Sequence, residues 1–279
     1  LAQTCGPGTP FFALGGLVVF DALLLLCIRP TLPRATDERY TVDEPSPQAA
    51  GKLWRNPSAM IVAATIAVGN LASSLTEPLA PLWLGNGPLQ YDEGYQGLIF
   101  GASTLSYFII TPIAGRCADN RARRVPQLMG GLCINACGLT LLGLAPYTAT
   151  LANTEDKTQM AWLSVPPLVV GLALIGCGLA LIDTPSLPLL SSMVEGHAAG
   201  FGTIETTAFA IGQTLGPLLS LPLVAAFDTF SAKWLADGLA PSAIPAAAIH
   251  VALVPLLLLV KAPEQAALGT QPLQAVASR

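Results

Sequence analysis

Seven apolar runs, each long enough to cross a bilayer, leave this chain few folds to choose from. They cover roughly residues 10–28, 59–84, 96–115, 127–146, 163–185, 204–227 and 241–260, against the ~20 apolar residues that a spanning helix needs. Of the 279 residues 52% are hydrophobic and 11% charged, where a soluble domain carries about 25% charge. In hydrocarbon each backbone N–H and C=O must be satisfied within its own segment, so such runs predict helices. The 24 prolines and 26 glycines suit the same class, because membrane helices tolerate both. An all-α membrane protein is expected, embedded in a lipid bilayer. Nucleic acid is not an expected partner, since the formal net charge is −4 and no basic stripe occurs.

Charge is concentrated between the third and fourth runs, in Gly115-Arg116-Cys117-Ala118-Asp119-Asn120-Arg121-Ala122-Arg123-Arg124. Such a knot between two spans reads as a tight loop at the membrane surface. Alternating the spans puts Arg29, Arg34, Arg39, Lys52 and Arg55 on the same side as this loop, together with Lys261 and Arg279. That side holds 11 of the 13 basic residues, and only Lys157 and Lys233 fall opposite. The positive-inside rule assigns it to the cytoplasm. Residues 29–58 are then a cytoplasmic linker, rich in Pro and charge and too poor in apolar residues to build a core. Residues 262–279 are a cytoplasmic tail. No charged n-region precedes the first run, which reads as a span and not as a signal peptide. The chain opens on Leu1 and reads as beginning inside a longer protein.

Within the runs, ionisable groups are costly, so each one is a candidate for function. Glu77 lies in Ser73-Ser74-Leu75-Thr76-Glu77-Pro78 and Asp183 in Leu181-Ile182-Asp183-Thr184-Pro185. Glu205 stands beside Thr206 and Thr207, and Asp21 lies among leucines. Carboxylates lining a polar cavity can take up and release protons, or pair with a cationic substrate. The competing reading is a structural acid satisfied by a neighbouring helix. Pro78 and Pro185 favour a site at the first two, because proline leaves backbone carbonyls free nearby. Asn70 is two turns from Glu77, and Phe100 and Tyr107 repeat that seven-residue spacing. Aromatic rings with a carboxylate suit an organic ammonium ion, although such a pair is also ordinary packing.

Gly212-Gln213-Thr214-Leu215-Gly216-Pro217 is a small-xxx-small pattern closed by proline, with Gly212 and Gly216 letting two helices approach and Pro217 adding a bend. Cys133 and Cys137 share a helical face without the histidines or further cysteines of a metal site, and read as small packing residues. His197 and His250 carry no motif. No phosphate-binding loop, nucleophile–base set or metal-spaced cluster is present, so neither an enzyme nor a cofactor is expected.

These residues resemble the major facilitator superfamily. Gly115, Asp119, Arg123 and Arg124 fit its cytoplasmic signature, with Asn120 where a basic residue is usual and Ala122 where the second Gly is usual. A cytoplasmic linker followed by six spans is the second half of that fold. By the resemblance, residues 1–28 are helix six of the first half and residues 59–261 the second six-helix bundle. The fold would be incomplete, with about seven of twelve helices. Gly115, Asp119, Arg123 and Arg124 would then act as a conformational latch between helices eight and nine.

Further motifs are similar to the vesicular amine transporter branch. Thr76-Glu77-Pro78-Leu79-Ala80-Pro81-Leu82-Trp83 is similar to its Leu-Glu-Pro-Ala-Leu-Pro-Ile-Trp, and Leu105-Ser106-Tyr107 to its Ile-Ser-Tyr. Ile182-Asp183-Thr184-Pro185 resembles its Val-Asp-Ser-Ser, and Gly212 to Pro217 its Gly-Tyr-Ala-Ile-Gly-Pro. The resemblance implies that Glu77 and Asp183 handle protons and substrate and that Asn70, Phe100 and Tyr107 line the cavity. The branch's helix-eleven aspartate falls at Thr206, beside Glu205, and a cavity tyrosine is replaced by Gln213. It implies a proton-coupled antiporter carrying an organic cation or amine into acidic vesicles, with a plasma-membrane drug or toxin exporter as the alternative. A non-transporting scaffold is a third reading, opposed by the cost of burying Glu77 and Asp183.

Overall fold

The computed structural model describes residues 54–86, 89–151, 157–193, 198–228 and 240–260, together with 19, 20 and 23. The first expected span therefore lies almost wholly outside the described residues, as do the linker up to residue 53 and the tail. The chain divides into two compact units, Leu1–Glu44 and Pro45–Arg279. Of the first, Val19, Phe20 and Leu23 are helical and exposed.

Six α-helices follow in order: α1 Pro57–Asn86, α2 Glu93–Ala118, α3 Arg124–Leu151, α4 Lys157–Ser192, α5 Ala198–Asp228 and α6 Ala240–Leu257. They lie over the second to seventh apolar runs and mostly extend past them. Helix ends are set by capping and not by the edge of an apolar run. Asp92 accepts a hydrogen bond from Tyr95 N–H at 3.0 Å and starts α2 before the hydrophobic residues begin. Helix α4 continues through Pro185 and Pro188 to Ser192. Helices α1 to α4 are long and apolar enough to cross a bilayer, and α6 holds a shorter apolar stretch, Ala243–Leu257. The described part of α5 is more polar, carrying Thr203, Glu205, Thr206, Thr207, Gln213 and Thr214.

Packing follows a few close seams. Helix α3 runs most extensively along α4, α2 along α4, α1 along α5, and α6 along α3. At the α3–α4 seam a Cβ on Gly138 would stand 2.7 Å from Gly171 O, and one on Gly131 2.8 Å from Gly178 O. The two contacts are seven residues apart on each helix, which is two turns, so antiparallel backbones touch twice along one line.

Two apolar clusters sit one above the other. One joins Leu79 and Trp83 of α1 to Leu139 of α3, Leu172 of α4 and Ala246 of α6. The other joins Ile66 of α1 to Leu132 of α3, Ile182 of α4, Ile204 of α5 and Leu257 of α6. Between them in chain order stand Asn70 on α1, Asn135 on α3 and His250 on α6, all fully buried. A polar layer thus crosses the bundle between two oily ones.

Candidate functional site

Asp183 of α4, next to Ile182 of the second cluster, joins this polar layer through Asn70. It lies nine residues before the end of α4, between Ile182 and Pro185. Its two carboxylate oxygens accept from different helices. Asn70 Nδ2 of α1 donates to Oδ1 at 3.5 Å, and the Tyr107 hydroxyl of α2 donates to Oδ2 at 3.4 Å. Asn70 is tied further: Nδ2 also donates to Ile66 O at 3.0 Å, and Oδ1 accepts from Gln213 Nε2 of α5 at 3.4 Å. A single chain of hydrogen bonds, Gln213–Asn70–Asp183–Tyr107, therefore links α5, α1, α4 and α2. The cross-helix bonds are long, at 3.4–3.5 Å near the outer limit for a hydrogen bond.

The backbone makes room for this chain. A Cβ on Gly212 would run into Ala67 O and stand 2.9 Å from Asn70 Cβ; one on Gly216 would strike the Ser74 hydroxyl and stand 2.6 Å from Leu75 N. Ser74 Oγ donates to Gly212 O at 2.9 Å, fastening the same seam. Glycine here is required by backbone approach, as the small-xxx-small spacing predicts. Pro217 follows, half-buried in α5.

The expected site residues do not all converge. Asn70, Tyr107 and Asp183 meet directly. Glu205, half-buried on α5, is close enough for its charge to act on Asp183. Phe100 instead packs against the apolar cluster around Leu79 and Leu139, so the seven-residue spacing from Tyr107 does not make the two rings one site. Glu77 is exposed and Asn70 fully buried although they share a helical face. No hydrogen bond or ion pair of Glu77 occurs among the described residues. Asp21 lies outside the described residues. Cys133 and Cys137 are exposed and not packed as small core residues. His250, unremarkable in sequence, is fully buried with Nδ1 against Ala246 O at 2.8 Å. Among the described residues no group of three or more His, Cys, Asp and Glu side chains could hold a metal ion.

The charged loop is built by caps and one arginine. Asn120 Oδ1 accepts from Ala122 N–H and opens a single 3₁₀ turn, Arg121–Arg123. Arg124 then reaches back: Nε donates to Ala118 O at 2.9 Å and Nη1 to Pro188 O at 3.1 Å. It ties the end of α2 to the end of α4. Asp119 and Arg123 are exposed. A Cβ on Gly115 would meet only Thr184 Cγ2 at 3.8 Å, an ordinary contact.

Sequence reasoning missed two links in this architecture. Asn135 Nδ2 donates to Gly69 O at 3.4 Å, joining α3 to α1 beside Asn70. Ser106 Oγ donates to Ala173 O at 2.8 Å, beside Gly176, whose Cβ would collide with Ser103 and Ser106. Polar residues alone in apolar runs were the available signal for both.

A family model, Major Facilitator Superfamily, matches residues 1–217, well over half of the chain. The chain belongs to the major facilitator superfamily. Its members are transporters rather than enzymes. Among curated proteins it is similar to the vesicular acetylcholine transporter of Mus musculus, 25% identical over 224 residues covering 79% of this chain and 39% of that protein. The synaptic vesicular amine transporter of Bos taurus is 24% identical over 222 residues, 78% of this chain and 38% of that protein. The chromaffin granule amine transporter of Rattus norvegicus is 23% identical over 216 residues, 76% and 37%. The chain thus spans about two fifths of the length of the curated relatives it matches.

Proposed function

We propose that this chain forms the second six-helix half of a proton-coupled antiporter that moves an organic cation, an amine in the first instance, into an acidic vesicle. The observation that carries the reading is the Asp183 carboxylate on α4, accepting from α1 and α2 and linked through Asn70 to α5. An ionised carboxylate only accepts hydrogen bonds, whereas a protonated one also donates. A proton or an ammonium ion arriving at Asp183 changes what it offers to Asn70 and Tyr107. Occupancy of one group thereby biases the packing of four helices, which is what alternating access requires.

Other residues take roles around that centre. Residues 1–28 serve as helix six of the first half, 29–58 as the cytoplasmic linker, 59–261 as the second bundle and 262–279 as the tail. Glu77, exposed on α1, faces the half that completes the transporter and handles protons there. Glu205 supplies a second negative charge near Asp183, and Tyr107 presents the aromatic ring at the site. The Gly115–Arg124 loop is the latch, with Arg124 holding α2 to α4 on the cytoplasmic side. The printed names of the relatives, vesicular, synaptic vesicular and chromaffin granule transporters of acetylcholine and amines, favour amines and a vesicular membrane.

The test uses the protein expressed from its complete reading frame in cells given a fluorescent aromatic monoamine. Accumulation in acidic compartments, collapsed by a protonophore and abolished by Asp183→Asn and by Glu77→Gln, is the expected result. Undiminished uptake by Asp183→Asn removes the proposed site. Loss of the amine to the medium reassigns the protein to the plasma membrane as an exporter. Absence of flux for a panel of amines returns it to a scaffold.

A further inference from the structure

Gln213 stands where the amine-transporter branch carries a cavity tyrosine, and its contact explains why an amide works there. Its neighbour Gly212 lets α5 settle onto α1 beside Asn70, which brings Gln213 Nε2 to Asn70 Oδ1 at 3.4 Å. Asn70 is fully buried, and all its polar directions are spoken for. The Ile66 carbonyl can only accept, and so can an ionised Asp183. The Asn70 NH₂ must therefore supply both, one hydrogen to each acceptor, at 3.0 and 3.5 Å. Its oxygen is left pointing at α5, where it needs a donor. Gln213 is that donor.

Take the donor away and the amide has no reason to keep this orientation. Buried without a partner, the Asn70 oxygen is satisfied neither by α5 nor by water. If the amide turns over, its oxygen faces the Asp183 carboxylate, acceptor against acceptor, and Asp183 loses its tie to α1. We propose that Gln213 is a positioning residue: through Asn70 it holds an N–H at Asp183 and so sets the carboxylate's orientation toward a bound cation. This rests on the reading of Asp183 as the cation site. Gln213 acts through Asn70 and makes no contact of its own with the substrate.

The experiment is a double-mutant cycle in the complete protein, reconstituted in liposomes with an acidic lumen and supplied with the fluorescent monoamine. Gln213→Met keeps the length and volume of the side chain and removes the donor; Gln213→Leu serves if that variant does not fold. Expected is a KM raised about tenfold, equivalent to ~1.4 kcal/mol, with turnover near the parent's. In an Asn70→Ala background the same substitution should change KM by less than about twofold, because the residue it acts through is gone. A tenfold effect that persists in that background, or no effect of Gln213→Met alone, overturns the proposal. Thermal unfolding of the purified variants gives a readout independent of transport: the shifts in Tm for Gln213→Met and Asn70→Ala should be non-additive, and additive shifts overturn the positioning role. If Asp183→Asn leaves uptake intact, the site reading fails while the unfolding cycle still decides whether Gln213 orients Asn70.

Discussion

Gly130 and Gly131 are consecutive residues of α3, and alanine should act on them with opposite sign. Around Gly130 an added Cβ meets nothing within 4 Å. Around Gly131 it would stand 2.7 Å from Ile182 Cγ1, 2.8 Å from Gly178 O and 3.2 Å from Leu181 Cβ. The Ile182 contact is with a side chain that can turn, but the Gly178 oxygen is backbone and cannot. An ordinary contact of at least about 3.4 Å requires the α3–α4 seam to open by roughly half an ångström, and overpacking of this kind costs about 1–3 kcal/mol. Alanine also returns about 0.4–1 kcal/mol at either position, through chain entropy and helix propensity. Gly130→Ala should therefore stabilise by up to ~1 kcal/mol and Gly131→Ala destabilise by a net ~1–2 kcal/mol. The assay is thermal unfolding of the detergent-solubilised protein, followed by the loss of its monodisperse peak in size-exclusion chromatography. A separation of several degrees between the variants is expected, Gly130→Ala above the parent and Gly131→Ala below. Equal stability of the two variants would refute the backbone contact.

Other substitutions probe the remaining contacts. Arg124→Gln should lower stability by about 2 kcal/mol, since a charged donor is lost from Ala118 O and Pro188 O together. Arg124→Lys should recover no more than half of that, because one ammonium cannot reproduce a planar fork spanning two carbonyls, and limited proteolysis of the loop reads both. Ser106→Ala removes the bond to Ala173 O and should cost about 0.6 kcal/mol, the usual worth of such a bond between membrane helices; a loss of several kcal/mol in an unfolding titration would contradict this. Cys133 and Cys137, exposed on α3, should both react with a lipid-soluble maleimide in the folded protein, as mass spectrometry would record.

What the sequence reveals here depends on which physical demand wrote it. The bilayer asks for long apolar helices, so α1 to α4 and α6 announce themselves by composition. Helix ends are set by single capping groups such as Asp92 and by prolines that fail to stop α4, and these carry no periodic signal. Asp183 is conspicuous because a carboxylate in hydrocarbon is costly. Its partners are less so, since Asn70, Tyr107 and Gln213 come from three other helices and only tertiary packing selects them. Spacing misleads for the same reason. Asn70 and Glu77 share a face, as do Phe100 and Tyr107, yet neighbouring helices cover those faces unevenly. Gly212 and Gly216 stand out at four-residue spacing, while Gly131, Gly138, Gly171 and Gly178 do the same work at seven and pass unnoticed.

The glycine contacts between α3 and α4 also constrain how the bundle can deform. Where two backbones touch with no side chain between them, there is no flexible layer in which one helix can slip past the other. Sliding by even one residue would drive Ile175 or Ile182, which already lie within 3 Å of the missing methyls, into the opposing chain. The same holds for α1 against α5, through Gly212 and Gly216. Two pairs are thus clasped, α3 with α4 and α1 with α5, and α2 closes on α4 in the same way where Gly176 meets Ser103. Any bending must be taken up at the joints between them, where Asn70 meets Asp183 and Asn135 meets the Gly69 carbonyl at 3.4–3.5 Å. The softest places in the molecule coincide with its most polar ones.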